Sequence, residues 1–456
     1  MNLPAHSSRI STTRRRFLST AFVVSAWTVL PRHVLGGPGR KPPSEKLDIG
    51  VIGAGGRGAD DLDGVKTENI VALCDVDLAQ AAGSLKKYPK ATTYRDFRVM
   101  LDKEKALDAV VVATPDHIHA VASMAAIKRG KHVYCEKPLT RTVFEARALG
   151  KAARAAGVAT QMGNQGMAFE GNRLINEWLA AGAIGSVREV HIWSDRPTHR
   201  GKLPWWWPQG IERPADTPPV PATLDWDLWL GPAPWRPYHP AYVPFRWRGW
   251  WDFGSGGIGD MGIHNLAPVF SALKLGAPTC VHASSTPVFK ESVPVACVVH
   301  YEFPARENLP AVKLHWYDGG ILPPRPDELG DDRDLDAEDG IILVGERGKM
   351  LVEGWGGEHP RLIPESRNLA YRRPPKTLAR SIGHHAEWIQ ACKTGSPTRS
   401  GFPDFAGPLT EAVLLGSVCV RAGGQRLNWD SANLKVTNAP EVNEFLHYKY
   451  RQGWEL

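Results

Sequence analysis

Leu47-Asp-Ile-Gly-Val-Ile-Gly-Ala-Gly-Gly-Arg-Gly58 is a short apolar run that ends in a glycine-rich turn. Gly53, Gly55 and Gly58 in this stretch fit the spacing G-x-G-x-x-G. In that pattern the first glycine permits a tight turn, the second lets a pyrophosphate approach the backbone, and the third lets the following helix pack closely. The stretch therefore predicts a dinucleotide at a helix N-terminus, although glycine-rich turns also join strands to helices without any nucleotide.

A carboxylate at the expected distance strengthens this interpretation. The apolar run Ile70–Cys74 ends in Asp75, twenty residues beyond Gly55. In dinucleotide-binding folds such a carboxylate accepts hydrogen bonds from the ribose hydroxyls. The next basic residue along the chain is Lys86. The obvious partner for a 2′-phosphate is therefore missing, which favours NAD over NADP.

The spacing of the following apolar runs predicts an α/β fold with a doubly wound parallel sheet, the Rossmann arrangement. Amphipathic stretches such as Ala120–Arg129 separate these runs, and the run from residue 109 is apolar throughout, as in a strand buried on both faces. Further strands are predicted at Ala109–Thr114, His132–Cys135 and Ala159–Met162. We expect this nucleotide-binding domain to span residues 47–165.

Polar residues follow three of the predicted strands. Loops at the carboxyl ends of parallel strands face the ligand near the point where the strand order reverses. A capping or surface role for the histidines and a solvated position for the lysine are the alternatives. The three segments are Thr114-Pro115-Asp116-His117-Ile118-His119, Glu136-Lys137-Pro138 and Gly163-Asn164-Gln165.

The first 36 residues have the pattern of a twin-arginine export signal. Arg14 and Arg15 precede an uncharged, largely apolar run, Phe17–Leu30, and small residues near Gly36 suit cleavage. Fourteen residues fall short of the roughly 20 that span a bilayer. An uncleaved anchor is the alternative. The segment 37–46, rich in Gly, Pro and Lys, is expected to be a linker or arm.

Composition excludes several other classes of protein. A chain of 456 residues is long enough for two domains with a large core. The net charge of +7 comes mainly from the signal segment, and the remainder has 50 basic against 48 acidic side chains, so no nucleic-acid-binding stripe is evident. The six cysteines include no C-x-x-C pair. We therefore expect neither a structural zinc site nor another bound metal.

The second half of the chain, residues 166–456, has a different pattern. A helix over Glu170–Ala181 is followed by strands that alternate apolar and polar residues, which indicates an open, mainly antiparallel sheet with one covered face. The predicted strands are Val187–Trp193, Cys297–Phe303, Val312–Trp316, Ile341–Val344 and Lys349–Val352. Helices are expected near His384–Lys393 and Phe405–Ala422, and the tail from Asn438 is expected to pack back on the body.

An insertion over residues 197–251 holds nine of the 17 tryptophans and twelve of the 37 prolines. So many prolines exclude a helix or a central strand. Indole faces suit sugar rings, and nearby charged groups could bind hydroxyls; alternatively the tryptophans pack the loop against the sheet or another subunit. The charged candidates are Asp225, Asp227, Arg246 and Asp252.

Asp260 and His264 follow a glycine-rich segment and are four residues apart, which would place them on one face of a helix. An imidazole beside a carboxylate suits a general base near neutral pH. A capping aspartate, a two-ligand metal site and a buried hydrogen-bonded pair remain alternatives on spacing alone.

Together these motifs resemble those of the glucose-fructose oxidoreductase and inositol dehydrogenase family, Gfo/Idh/MocA. The resemblance implies a Rossmann domain, a C-terminal α/β domain whose open sheet often mediates oligomers, and hydride transfer at a sugar or polyol carbon. It implies that His264 is the general base, that Asp260 orients it, and that Lys137 polarises the reacting hydroxyl. The implied NAD-binding residues are Gly53, Gly55, Gly56, Arg57, Gly58, Asp75, Thr114, Pro115, His119, Glu136, Lys137 and Asn164.

The leading hypothesis is an exported, periplasmic, NAD-dependent oxidoreductase acting on a sugar or polyol. Because that compartment is expected to lack a nicotinamide pool, NAD should be tightly bound, and in exported relatives an arm like 37–46 lies over the cofactor. We also expect a homo-oligomer formed through the C-terminal sheet, and no membrane span after signal cleavage. The rival hypotheses are a redox-neutral NAD-dependent glycosidase of the same superfamily and a non-catalytic sugar-binding relic.

Overall fold

Six parallel strands form the first sheet of the computed structural model, which describes residues 45–199, 202, 205–447 and 449–456. The strand order is β3-β2-β1-β4-β5-β6, so the order reverses between β1 and β4. The doubly wound prediction is therefore confirmed. The strands are β1 (Asp48–Ile52), β2 (Asn69–Cys74), β3 (Thr92–Tyr94), β4 (Ala109–Val112), β5 (His132–Glu136) and β6 (Thr160–Gly163). The predicted signal, 1–36, and nearly all of the predicted arm lie outside the described residues.

Helices cover both faces of this sheet. The longest of them, α5, begins with a capping box in which the Thr142 and Glu145 side chains bind each other's backbone N–H, and it ends at Gly157 with φ 64°. The helices of this part are α1 (Arg57–Gly64), α2 (Ala82–Lys87), α3 (Phe97–Lys103), α4 (Asp116–Ile127) and α5 (Val143–Ala156).

The second sheet has nine strands in the order β13-β12-β11-β7-β10-β9-β8-β14-β15. Only the β7–β10 pair is parallel among the described pairings, which confirms a mainly antiparallel sheet. The strands are β7 (Val187–Ser194), β8 (Cys280–Ser285), β9 (Cys297–Phe303), β10 (Val312–Tyr317), β11 (Asp339–Gly345), β12 (Gly348–Glu353), β13 (His359–Ile363), β14 (Leu427–Asp430) and β15 (Lys435–Val436).

Helices pack on one face of the second sheet only. In β9, Val299 and Tyr301 are buried in the main core, whereas the alternate residues Val298 and His300 are partly exposed. The remaining helices are α6 (Glu170–Ala180), α7 (Trp226–Leu230), α8 (Ile263–Ala272), α9 (Glu365–Ala370), α10 (His384–Thr394) and α11 (Gly407–Arg421). On the face that carries His300, Leu329 and Leu335 cover the part around Trp193 and Ile342. The remainder, which includes His300, is the open face of the sheet.

Some elements depart from the sequence-based expectation. β13, which contains Pro360, was not predicted; it lies at a sheet edge, where a proline costs no ladder hydrogen bond. Helix α10 belongs to the second half of the chain, yet its Trp388 packs on the first sheet with Ile49 and Val51. All six cysteines are free. Within the described part of the chain, none of the helices combines the length and apolarity that a bilayer span requires.

Candidate functional site

The glycine turn after β1 is packed so closely that side chains would not fit. Gly53 has φ +83°, a region that favours glycine. A Cβ on Gly58 would lie 1.8 Å from the Gly53 carbonyl oxygen, so α1 contacts the turn as its third glycine predicted. Helix α1 begins at Arg57, directly after this turn. The first N–H groups of α1 are therefore available to an anion.

Asp75 ties the end of β2 to the same turn. Its Oδ2 accepts hydrogen bonds from the backbone N–H of Ala54 (2.9 Å) and of Gly55 (3.0 Å), and its Oδ1 accepts one from Asp77 N–H (2.9 Å). Burial raises the pKa of this carboxyl, while the N–H donors oppose the increase. Asp75 thus lies at the glycine turn, and its binding of the ribose stays a prediction.

A cavity of about 770 Å³ lies over the turn and extends into the second half of the chain. Its volume lies within the usual range for cofactor and ligand sites. The predicted site residues that line it are Gly53, Gly55, Gly56, Arg57, Asp75, Thr114, Pro115, Glu136, Lys137 and His264. Four predicted residues do not line it: Gly58, His119, Asn164 and Asp260.

Lys137 lies at the end of β5 and reaches across to the second half of the chain. Its Nζ donates to Asp260 Oδ1 (2.6 Å) and to the Asp260 backbone oxygen (3.0 Å). Both side chains are nearly buried, with 13% and 12% of their surface exposed. Burial alone would raise the pKa of Asp260, but Lys137 and Arg248 outweigh burial and hold it well below its usual value.

His264 lies on α8 and lines the cavity with only 7% of its surface exposed. Burial, and then the positive charge of Lys137, lower the pKa of His264 well below 6.5, so the imidazole is neutral at pH 7. Its Nδ1 is buried without a hydrogen-bond partner among the described residues. The ring packs edge to face with Trp355, with 5.0 Å between the two ring centroids. Nε2 is thus the ring atom available to a bound molecule.

The structure does not pair Asp260 with His264 as the family resemblance implied. Asp260 lies in a π-helical turn, Ile258–Gly262, that precedes α8. Asp260 lies close enough to His264 to oppose the lowering of its pKa, but no hydrogen bond joins the two side chains among the described residues. Among the hydrogen bonds of the described residues, those of the Asp260 carboxylate go to Lys137 and Arg248 (Nε–Oδ1 3.0 Å). Asp260 therefore positions the lysine and not the imidazole.

Two of the predicted cofactor residues, His119 and Asn164, are buried and do not line the cavity. His119 is buried, with Nδ1 2.7 Å from the Pro138 oxygen and Nε2 2.8 Å from the Thr114 oxygen, so it joins the loops after β4 and β5. Asn164 is 1% exposed, and neither Nδ2 nor Oδ1 has a partner in the described part of the chain. Burial lowers the pKa of His119, so the ring is neutral and its single N–H donates to one of the two carbonyl oxygens beside it. His119 does not line the cavity, and its contact with the cofactor stays a prediction.

The residues around the cavity fit a dinucleotide. The turn between β1 and α1 leaves no room for side chains at Gly53 and Gly58, and Asp75 lies where a ribose hydroxyl donor would find an acceptor. The Thr114 hydroxyl lines the cavity and is buried without a protein partner among the residues described. An orphaned polar atom of this kind is satisfied by a ligand or by water.

The family comparison agrees with this fit. Residues 47–164 match the NAD-binding Rossmann fold of the Gfo/Idh/MocA oxidoreductases, and residues 180–301 match the C-terminal alpha/beta domain of the same family, together more than half of the chain. The chain belongs to the Gfo/Idh/MocA oxidoreductase family. The resemblance inferred from the motifs is thereby confirmed at the level of the family.

Curated relatives of this Gfo/Idh/MocA chain include two sugar or polyol dehydrogenases. It is 28% identical to inositol 2-dehydrogenase of Salmonella typhimurium over 151 residues, and 30% identical to D-glucoside 3-dehydrogenase of Escherichia coli over 168 residues. These matches cover 32% and 36% of the chain. The chain spans less than half the length of these relatives, 45% and 46% respectively.

Among solved structures, the WlbA dehydrogenase from Bordetella pertussis in complex with NADH and UDP-GlcNAcA has a similar fold. Its TM-score is 0.58 at 17% identity, and the match covers 84% of this chain and 99% of that one. At this identity the likeness concerns the fold alone.

The Trp-rich insertion of this family member is mainly packed against itself. Six of its nine tryptophans are buried, and Trp226 and Trp229 stack at 4.7 Å. Trp229 and Trp247 also line the cavity, so these two tryptophans both pack within the insertion and form part of the cavity wall. None of the proposed hydroxyl-binding residues lines it. Asp225 caps α7, Asp227 binds Arg451 (2.9 Å), Asp252 binds Arg236, and Arg246 is exposed.

Sequence reasoning missed three arginines that line the cavity, Arg95, Arg196 and Arg248. Arg248, within an aromatic run of the insertion, lies over the rings of Phe245 (3.8 Å) and Trp247 (4.2 Å) while binding Asp260. Arg95 follows the unpredicted strand β3 and lines the cavity, with Nη1 donating to the Thr223 oxygen (3.2 Å). The sequence has no basic residue between Asp75 and Lys86, yet the basic side chain of Arg95 lines the same cavity as Asp75.

Proposed function

We propose that this protein is an exported oxidoreductase that transfers a hydride between a carbinol carbon of a sugar or polyol and tightly bound NAD. The observation that carries the proposal is that one cavity is lined by the glycine turn, Asp75, Lys137 and His264. A dinucleotide-binding turn and a neutral imidazole beside a lysine are the parts that alcohol oxidation requires.

The substrate class is supported by what the two curated relatives share. Their names specify a ring carbon of inositol and a ring carbon of a D-glucoside. Each of these two carbons bears a secondary hydroxyl group on a polyhydroxylated ring. We therefore propose a secondary hydroxyl on such a ring as the reacting group of this protein.

The chain's own residues would divide the work as follows. The turn at Gly53 would hold the pyrophosphate, and Asp75 a ribose. Bound nicotinamide would take up, or give back, the carbinol C–H hydrogen with its electron pair. His264 Nε2 would accept the hydroxyl proton. Lys137 Nζ would donate to the developing alkoxide oxygen, and Asp260 would keep that ammonium group in place.

Product analysis tests this function. In a single turnover with a polyol or a sugar as substrate, we expect one ketone or lactone and one reduced nucleotide per chain. Further turnovers require an oxidised second substrate that takes the hydride back from the bound nucleotide. With an aryl glycoside, a redox-neutral glycosidase would release phenol without net reduction. Release of phenol as the main product would replace the proposed function by that rival, and a protein that binds sugar but turns over neither substrate would be the non-catalytic relic.

Retention of the cofactor is expected because an exported protein could not replace lost NAD. With an association rate of about 10⁶ M⁻¹s⁻¹, a dissociation constant of about 1 nM gives release in roughly twenty minutes, and retention for days needs about 1 pM. We expect isolated exported protein to keep its nucleotide through one day of dialysis, measured after denaturation by mass spectrometry. An undialysed portion is the control. A site that empties and refills freely from added NAD would contradict tight binding without affecting the oxidoreductase assignment.

We propose export to the periplasm through the twin-arginine route, based on Arg14, Arg15 and the apolar run that follows. Replacing both arginines by lysine should leave the precursor in the cytoplasm, as measured by fractionation. The matched control is Arg16→Lys, which makes the same change at the adjacent arginine and leaves Arg14 and Arg15 in place. Equal periplasmic yield from the double variant and the control would exclude this route.

We also propose that copies of the chain associate through the second sheet. The support is its open face, on which apolar residues such as Val298 and Val344 are only partly buried. A sheet face of this kind is stabilised when another surface covers it.

A further inference from the structure

Four histidines form a row across the open face of the second sheet, one on each of four adjacent strands. Direct cross-strand pairs join His282 to His300, His300 to His315, and His315 to His191. Neighbouring rings lie 4.6 to 5.0 Å apart between centroids. The row crosses β8, β9 and β10, which follow one another in the chain, and then β7, which lies more than 100 residues before β10.

Two imidazoles at the end of this row converge on one carboxylate. Glu189 and His191 are two apart on β7 and so share a face of the sheet. Glu189 Oε1 lies 3.0 Å from His315 Nε2 and 3.4 Å from His191 Nε2. One ligand atom from each of the three residues lies within 4.8 Å of the others.

Each of these two rings is oriented through its other nitrogen. His191 Nδ1 lies 3.0 Å from the Tyr317 hydroxyl oxygen, and His315 Nδ1 lies 2.5 Å from His300 Nδ1. In metal sites, histidine ligands are held in just this way by an outer hydrogen bond to the nitrogen that does not bind the ion. The outer partners leave both Nε2 atoms directed to the same carboxylate oxygen.

We propose that Glu189, His191 and His315 bind a divalent transition-metal ion of the zinc type. Tetrahedral Zn²⁺ with bonds of about 2.0 to 2.1 Å places its ligand atoms roughly 3.3 Å apart, and the two N–O distances bracket that separation. Two imidazoles and a carboxylate are ligands that Zn²⁺ takes in three-residue sites, with water in the fourth position.

The surroundings favour an ion at this place. Glu189 keeps 43% of its side chain exposed, which gives an ion access from solvent. Lys349, which lies close enough to influence His191, is itself paired with Glu328 at 2.7 Å.

This site is separate from the dinucleotide cavity, because none of its three residues lines that cavity. The lack of C-x-x-C pairs in the sequence argued against a thiolate zinc site. A histidine site assembled from β7 and β10 leaves no such signature in the sequence, since 126 positions separate Glu189 from His315.

The test is titration of Zn²⁺ alone into the full chain after dialysis against a chelator, followed by calorimetry. We expect one site per chain that His191→Gln or His315→Gln weakens by more than about 100-fold, since the loss of an outer partner alone costs about 10- to 100-fold. The matched control is His282→Gln, in the same row but remote from Glu189, which should bind within about 3-fold of the unaltered chain. Melting curves without zinc verify that each variant is folded.

Glu189→Gln provides a second variant at a partly exposed position, where folding is least affected, and it should weaken binding by about 10-fold. The proposal is overturned if the unaltered chain binds no Zn²⁺. It is equally overturned if the His191→Gln and His315→Gln variants bind as well as His282→Gln, because binding would then belong to scattered surface histidines.

Discussion

Replacing His264 with alanine is expected to lower turnover by about 10² to 10⁴-fold while leaving the nucleotide bound, as for a lost general base. The neutral imidazole lines the cavity beside Lys137 and is held against Trp355. Turnover with an identified substrate and nucleotide per chain are the two measurements. His359→Ala, at a side chain that is 69% exposed, is the control and should leave both unchanged.

The pH profile distinguishes a base from a merely structural histidine. A base with a lowered pKa stays neutral as the pH falls through 6.5 and is protonated only in more acidic solution. The acid limb of kcat/KM should therefore lie below pH 6.5 in the unaltered enzyme and be missing from the residual activity of His264→Ala. Near-normal turnover of the variant, or an unchanged acid limb, would remove His264 from the role of base.

Replacing Lys137 with methionine is expected to lower turnover by about 10² to 10³-fold, because the alkoxide loses its electrostatic partner. Methionine keeps most of the aliphatic stem that is buried in the wall. The variant should also unfold at a lower temperature, since Asp260 then keeps Arg248 as its single charged partner in a nearly buried place.

A double variant separates the two effects. Combining Lys137→Met with Asp260→Asn removes both charges of the pair, so much of the lost thermal stability should return. Turnover should stay low, because the donor to the alkoxide is still missing. Recovery of turnover in the double variant would mean that Lys137 only neutralises Asp260. The single change Asp260→Asn should have an effect similar to or smaller than that of His264→Ala.

The parts of the site that could be predicted depend on short-range spacing. The Gly53 turn and Asp75 are set by one strand, one turn and the end of the next strand, so their contacts follow from the local pattern. The cavity position of Lys137 follows equally from the end of β5. Parallel strands buried on both faces leave an unambiguous apolar run, as in β4.

The parts that could not be predicted depend on contacts between distant segments or on irregular backbone. The π turn that contains Asp260 has no pattern in the sequence, and Lys137, which binds Asp260, lies 123 positions away along the chain. Arg95 reaches the cavity only because the three-residue β3 lies beside β2. The sequence predicted His119 as a cofactor residue. Its position beside the carbonyl oxygens of Thr114 and Pro138 depends on how two loops pack together, which the neighbouring residues in the chain do not indicate.

Arg248 links the Trp-rich insertion to the ion pair between Lys137 and Asp260. The arginine belongs to the insertion, yet its Nε binds the same Asp260 oxygen that holds Lys137. Exchanging the insertion for a relative's shorter loop would therefore change the charge beside the lysine as well as the wall of the cavity. A chimera that is meant to alter substrate preference must keep a cation at position 248, or the lysine will be pulled more tightly onto a carboxylate that has lost its second partner.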